Sequence, residues 1–117
     1  MNNYSLHPSS YEDYIRLFDA LSHPTRIKIV GILAEQRKYV SELAKIINMS
    51  RPLLYMHIKK LEDAALVTGS YEISDSGKTM KFYELKNFSI HLTPDLLVNL
   101  ARHIPVSEKA GASGREN

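Results

Sequence analysis

Four apolar residues constrain this chain more than any other feature. In the stretch MSRPLLYMHIKKLEDAALV, Met49 to Val67, Leu54, Ile58, Leu61 and Ala65 recur at i, i+4, i+7 and i+11. Side chains at that spacing share one side of an α-helix. Ser50 is placed to cap the helix, and Pro52 falls in its first turn, where the missing N–H is not needed. The spacing predicts a helix over 51–65 clamped to the interior by one stripe. Its outward positions are Arg51, Pro52, Leu53, Tyr55, Met56 and Lys59, with Lys60 beside them. Basic, aromatic and apolar groups together make an odd solvent face.

The flanking segments give that helix neighbours. Ser9 or Ser10 caps a helix over 10–21, where Glu12 and Asp13 suit the first turn and Tyr14, Leu17, Phe18 and Leu21 repeat at helical spacing. The SHP at Ser22–Pro24 ends it. Pro24 opens a second helix over 24–35 with the stripe Ile27, Val30, Ile32 and Leu33. Gly31 within it costs about 1 kcal/mol relative to alanine, which points to close packing there. Lys38–Val40 is no more than a stub of strand. Ser41 is expected to cap a short third helix over 41–47 with Leu43, Ala44 and Ile47 inward, and Asn48 and Met49 turn the chain into the fourth.

After Leu66 the period changes from helical to alternating. VTGSYEI (Val67–Ile73) and TMKFYELK (Thr79–Lys86) are rich in β-branched and aromatic residues, and SDSGK between them is a glycine-containing turn, so they predict an antiparallel hairpin. Thr93-Pro94-Asp95 starts a fifth helix over 94–104. The rest, 105–117, is small and polar and is expected to be a disordered tail. The fold class is therefore mainly α with a small antiparallel β-hairpin, in the order α-α-(β)-α-α-β-β-α. That is a winged helix-turn-helix over residues 1–104.

Such an order implies double-stranded DNA as partner. The major groove admits one α-helix, and side chains near its N-terminal half read base edges. Arg51 suits guanine or phosphate, Tyr55 a phosphate or sugar, and Leu53 and Met56 a thymine methyl. Otherwise Tyr55 and Met56 pack against a second subunit or the wing. The third helix, with Ser41 at its head, would offer N-terminal amides to a phosphate; Ser50, Lys59 and Lys60 belong to the expected DNA-binding set of the fourth, and Lys78 and Lys81 on the wing would reach backbone or minor groove.

Charge agrees with this placement. The net +2 conceals a basic centre: residues 26–60 hold eight basic and two acidic side chains, whereas 1–25 and 61–117 each carry −2. A basic block between acidic flanks suits a polyanion. At 117 residues the chain is of single-domain length, and a dimer partner would help it bury apolar surface. It has no cysteine, so no disulfide or thiolate metal ligand. No apolar run approaches the ~18 residues of a membrane span, and the N-terminus lacks the layout of a secretory signal. A cytoplasmic location is expected. Neither a nucleophile elbow nor a glycine-rich phosphate loop occurs, so catalysis is not expected.

The stretch LFDALSHPTRIKIVGILAEQRKYVSELAKIINMSRPLLYMHIKKLEDAALV, followed by KFYEL after the wing, resembles the ArsR-type winged-helix transcriptional regulators, especially archaeal versions. The resemblance spans about residues 14–97. It implies a homodimer on a pseudo-palindromic operator, with terminal helices as the interface. Here those are Tyr11, Tyr14, Leu17 and Phe18 of the first helix and Leu96, Leu97, Leu100 and Ile104 of the fifth. Two features depart from the family pattern. Many members carry small polar residues such as Ser and Gln where this chain has Pro52, Leu53, Tyr55 and Met56. Metal sensors of the family use cysteines in the third helix, or Asp and His pairs across the fifth. This chain has neither Cys nor His in the third helix, but has His91, Asp95 and His103 at the fifth.

Asp95 and His103 are eight residues apart, about 80° around an ideal helix, so they do not share a face. No cofactor or metal is expected, although a dimer could bring His91 or His103 to a partner residue. His57 is expected to be a hydrogen-bonded structural residue, and His7 and His23 surface or capping residues. An effector would have to bind at the dimer interface. There Tyr4, Tyr11, Tyr14 and Phe18 either line a pocket or pack in the core. The alternatives to a DNA-binding regulator are a protein-interaction or chromatin-associated winged helix, and a metal- or ligand-responsive repressor.

Overall fold

Local capping chemistry sets where the helices begin. In the computed structural model, which describes residues 5–6 and 8–106, Ser10 Oγ accepts from Asp13 N at 3.1 Å and starts α1 (Tyr11–Leu21). His23 Nδ1 accepts from Thr25 N at 3.1 Å and starts α2 (Pro24–Glu35). Ser50 Oγ accepts from Leu53 N at 3.4 Å at the head of α4 (Arg51–Asp63), and Thr93 Oγ1 from Leu96 N at 3.1 Å at that of α5 (Pro94–Ala101). Each side chain satisfies an amide that a helix start leaves without a partner.

The helix between them departs from expectation. Ser41 does not cap α3 (Val40–Ile47); it lies exposed in the first turn. Val40 is buried, which draws the helix start back by one residue, and the Glu42 carboxylate accepts from Tyr39 N at 2.9 Å. Asn48 then ends α3 at φ 60°, a left-handed conformation that Asn tolerates better than most residues.

The strands form two small sheets. β2 (Lys38–Tyr39), β4 (Thr79–Leu85) and β3 (Val67–Ile73) lie side by side in that order, all antiparallel, so the predicted hairpin gains a third strand. β1 (Ser5–Leu6) pairs in parallel with β5 (Asn87–Phe88), a pairing no local pattern announces. Gly69 of β3 faces Tyr83 of β4. A Cβ at Gly69 would stand 2.7 Å from the Tyr83 ring, so only glycine lets that buried ring lie flat against the strand.

The core gathers Leu17, Ala20, Ile29, Leu33, Leu43, Leu54, Ile58, Leu61 and Leu66 from the four N-terminal helices and the start of the wing. Two expected stripes shift. In α2 the inward residues are Ile29 and Leu33, while Ile27 is 57% exposed, because this helix is apolar on nearly every side and its period is ambiguous. Gly31 is exposed and a Cβ there would meet nothing within 4 Å, so the close packing expected of it is absent within the protomer. In α4 the stripe ends on Ala64 rather than Ala65. Ala65 adopts φ 62°, and Leu66 N donates to Leu61 O at 2.9 Å, a helix stop that folds Leu66 into the core.

α5 is shorter than predicted, ending at Ala101, and buries only Leu100. No helix among the described residues is long and apolar enough to cross a membrane. Tyr4, His7 and residues 107–117 of the expected tail lie outside the described residues.

Candidate nucleic-acid interface

With Leu54, Ile58 and Leu61 fully buried, α4 turns Pro52, Leu53, Tyr55, Met56 and Lys59 outward. Leu53 is 43% exposed and Met56 68%. At the head of the helix, Arg51 and Tyr55 form one wall of a cleft of about 240 Å³. The wing forms the other wall through Tyr71, Lys78, Thr79 and Lys81, and the start of α3, with Ser41, closes the floor. Five predicted residues thus meet in one concave site: Ser41, Arg51, Tyr55, Lys78 and Lys81. The remaining α4 residues of the predicted set do not line the cleft.

The charges divide into committed and available groups. Lys59 pairs with Asp63 at 2.7 Å along α4, and Lys60 reaches Asp19 on α1 at 3.0 Å. Among the described residues, Arg51 and Lys78 have no carboxylate partner. The Lys81 ammonium lies 5.2 Å from the ring centroids of both Tyr71 and Tyr83. The neighbouring Tyr83 hydroxyl holds it above the usual lysine range, so it stays charged. Burial in turn pushes the Tyr83 hydroxyl up, so the phenol stays neutral. At α3 the Glu42 carboxylate accepts from the N-cap amide of Tyr39, which places a negative charge at the helix start where a phosphate contact is expected.

A polar clamp ties β3 to the segment before α3, and its Tyr39 also lines the cleft. Glu72 of β3 reaches past β4 to accept from Tyr39 Oη at 2.8 Å, and pairs with Arg37 at 3.1 Å. The Arg37 guanidinium lies 4.0 Å over the Phe82 ring. These donors hold the Glu72 carboxyl below the usual carboxylate range, Tyr39 first and Arg37 second. Sequence reading does not single out Arg37, Tyr39, Glu72 or Tyr71. Alternation along β3 carried part of the signal, since Tyr71 stands directly across from Lys81.

At the far end of the molecule, α1 and α5 flank a groove of about 480 Å³ that includes Tyr11, Tyr14, Leu96 and Leu100. Leu17 and Leu100 are buried within the protomer, Tyr11, Tyr14, Phe18 and Leu96 are half-buried, and Leu97 and Ile104 are exposed. Val98, also on α5, is 51% exposed beside Leu97 in the chain and is missed by the sequence reading. His103 stacks on Tyr11 with ring centroids 6.0 Å apart, while His91 and Asp95 are exposed. Among the described residues, no three His, Cys, Asp or Glu side chains converge as a metal ion would require.

The model of the bacterial regulatory protein arsR family matches residues 23–68, from the cap of α2 into β3. An uncharacterized HTH-type transcriptional regulator of Methanocaldococcus jannaschii is 38% identical over 88 residues, covering 75% of this chain and 92% of that protein. The HTH-type transcriptional repressor SmtB of Mycobacterium tuberculosis is 42% identical over 53 residues, 45% of this chain and 39% of that one. Among solved structures, HlyU from Vibrio cholerae superposes with a TM-score of 0.56 at 20% identity, covering 79% of this chain and 88% of its own, a likeness of fold. The transcriptional repressor BigR from Xylella fastidiosa does so with a TM-score of 0.53 at 26% identity, covering 83% and 90%. By the match to the family model and the identity to the Methanocaldococcus jannaschii regulator, this chain belongs to the ArsR family of helix-turn-helix regulators, which act in transcription and are not enzymes.

Proposed function

We propose that residues 1–104 act as one unit that recognises a specific double-stranded DNA sequence as a homodimer. In this reading α4 enters the major groove, and the wing follows the backbone or minor groove. The observation that carries it is the cleft between α4 and the wing. Arg51 and Lys78 there have no carboxylate partner among the described residues, Lys81 stays charged, and Tyr55 lines the same cleft. Cations left without counter-charge on two facing elements suit a rod of phosphates. The exposed apolar face of α1 and α5 suits a second copy.

The test is fluorescence anisotropy on the protein's own promoter fragment and on random duplex, titrated with salt. The logarithm of affinity should fall linearly with log salt, by about 0.9 in slope per phosphate neutralised. Replacing Arg51 and Tyr55 together by Ala should weaken binding at least tenfold, about 1.4 kcal/mol or more. Equal affinity for both duplexes at every salt would sink the proposal. A second reading draws on the exposed Leu53 and Met56: a face that binds protein rather than DNA. Under it the double variant would leave DNA affinity unchanged.

A further inference from the structure

The reading face of α4 has an unusual chemistry, and it narrows what this protein recognises. Between Arg51 and Asp63 there is no Asn, Gln, Ser or Thr. Adenine is read by a side chain that accepts from its N6 amino group and donates to its N7 at once, as Asn and Gln do, so α4 cannot address it that way. Cytosine offers a donor, which calls for a carboxylate; the two carboxylates of α4, Glu62 and Asp63, both sit at the far end of the helix, and Asp63 is held by Lys59 at 2.7 Å. Guanine is left to Arg51. Among the other outward groups, Leu53 and Met56 are the large aliphatic ones, three residues apart on one ridge, with Cβ atoms about 5–6 Å from each other. In the major groove the apolar group that distinguishes base pairs is the thymine 5-methyl.

Resting on the DNA-binding reading above, we propose that Leu53 and Met56 determine sequence specificity by packing against thymine methyl groups. Each half-site then carries one or two essential thymines beside a guanine contacted by Arg51. Exposure supports this placement. Met56 is 68% exposed on the side of α4 opposite Ile58, where folding gains nothing from a thioether. The cations Arg51 and Lys78 flank the same end of the helix, which favours a duplex over an apolar protein surface as the occupant.

The experiment begins with DNA selected by the purified protein and sequenced. Single thymines of that operator are then replaced by deoxyuridine, which deletes only the methyl group, and affinities are measured by anisotropy. For wild type, we expect a loss of about fourfold at each contacted position, the value of one buried methyl. Met56→Ala should bind the thymine and uracil operators equally at one such position, and Leu53→Ala at the other. Both side chains are solvent-exposed, so the variants are expected to fold; circular dichroism checks this. If wild type prefers the operator but ignores every uracil, methyl readout is wrong and the regulator reading survives. If uracil sensitivity persists in both variants, these two residues are not the readers. Absence of any preferred sequence would overturn the DNA-binding reading itself, and this inference with it.

Discussion

Arg26 ties three helices together through one side chain. Its Nε donates to Ala20 O at 2.7 Å and its NH2 nitrogen to Asp19 O at 3.2 Å, placing a cation at the C-terminus of α1, where the helix dipole favours it. The third hydrogen bond, at 3.2 Å, is to His57 Nδ1 on α4. Because guanidinium only donates, His57 must accept there, and its imidazole must be neutral. Burial, the nearby His23 ring and Arg26 all hold His57 below the usual histidine range, burial most strongly. Its folded value is depressed, so its contribution is present above the ordinary histidine range and lost as pH falls through the folded value. The Tm of the wild type should therefore drop more steeply from pH 7 to pH 5 than that of His57→Gln, whose amide oxygen still accepts from Arg26. His23, Asp19 and Lys60 are common to both proteins, so parallel curves would refute the assignment. Local chemistry was legible at this scale: Ser10, Ser50 and Thr93 cap as their sequence neighbours suggest. Ser41 fails because the burial of Val40, a tertiary demand, moves the helix start.

At the scale of elements, the hairpin and the recognition helix were both legible, because a change from helical to alternating period is a strong local signal. What holds one against the other was not. The Arg37–Glu72–Tyr39 clamp joins residues more than thirty positions apart, and β2 is too short to predict a partner. An exposed clamp of this kind contributes little to folding stability. We expect its consequence to be orientation, since it ties β3 to the segment before α3 and so bears on where Lys78 and Lys81 stand. Glu72→Ala should leave the Tm almost unchanged. It should also make the dependence of log affinity on log salt shallower by about 1, because the wing then neutralises one phosphate fewer. Removing a negative charge near a polyanion would by itself strengthen binding. A weaker complex with a shallower slope therefore points to wing position, and wild-type salt behaviour would exclude it.

For the whole molecule, the unexplained quantity is the stability of α5. Eight residues are too few for a helix to persist alone in water, and within the protomer α5 buries only Leu100. Leu97 is 49% exposed, Val98 51% and Ile104 47%, and on α1 Ile15 is 40% exposed. A second copy covering these side chains would supply the missing burial and set two copies of α4 on one side of a duplex, as a symmetric operator requires. The family resemblance puts Leu96 and Leu100 at that interface as well; within the protomer Leu96 is half-buried and Leu100 buried, because an apolar position does not say whose core it joins. Leu97→Glu together with Val98→Glu should convert a dimer to a monomer by sedimentation equilibrium. The same variant should bind a full palindromic operator no more tightly than a single half-site, since the gain from linking two α4 helices depends on their joint engagement. Should the double variant still sediment as a dimer, the interface lies elsewhere on the surface. Ile27 and Gly31 on the outer side of α2 would then be the next apolar face to substitute.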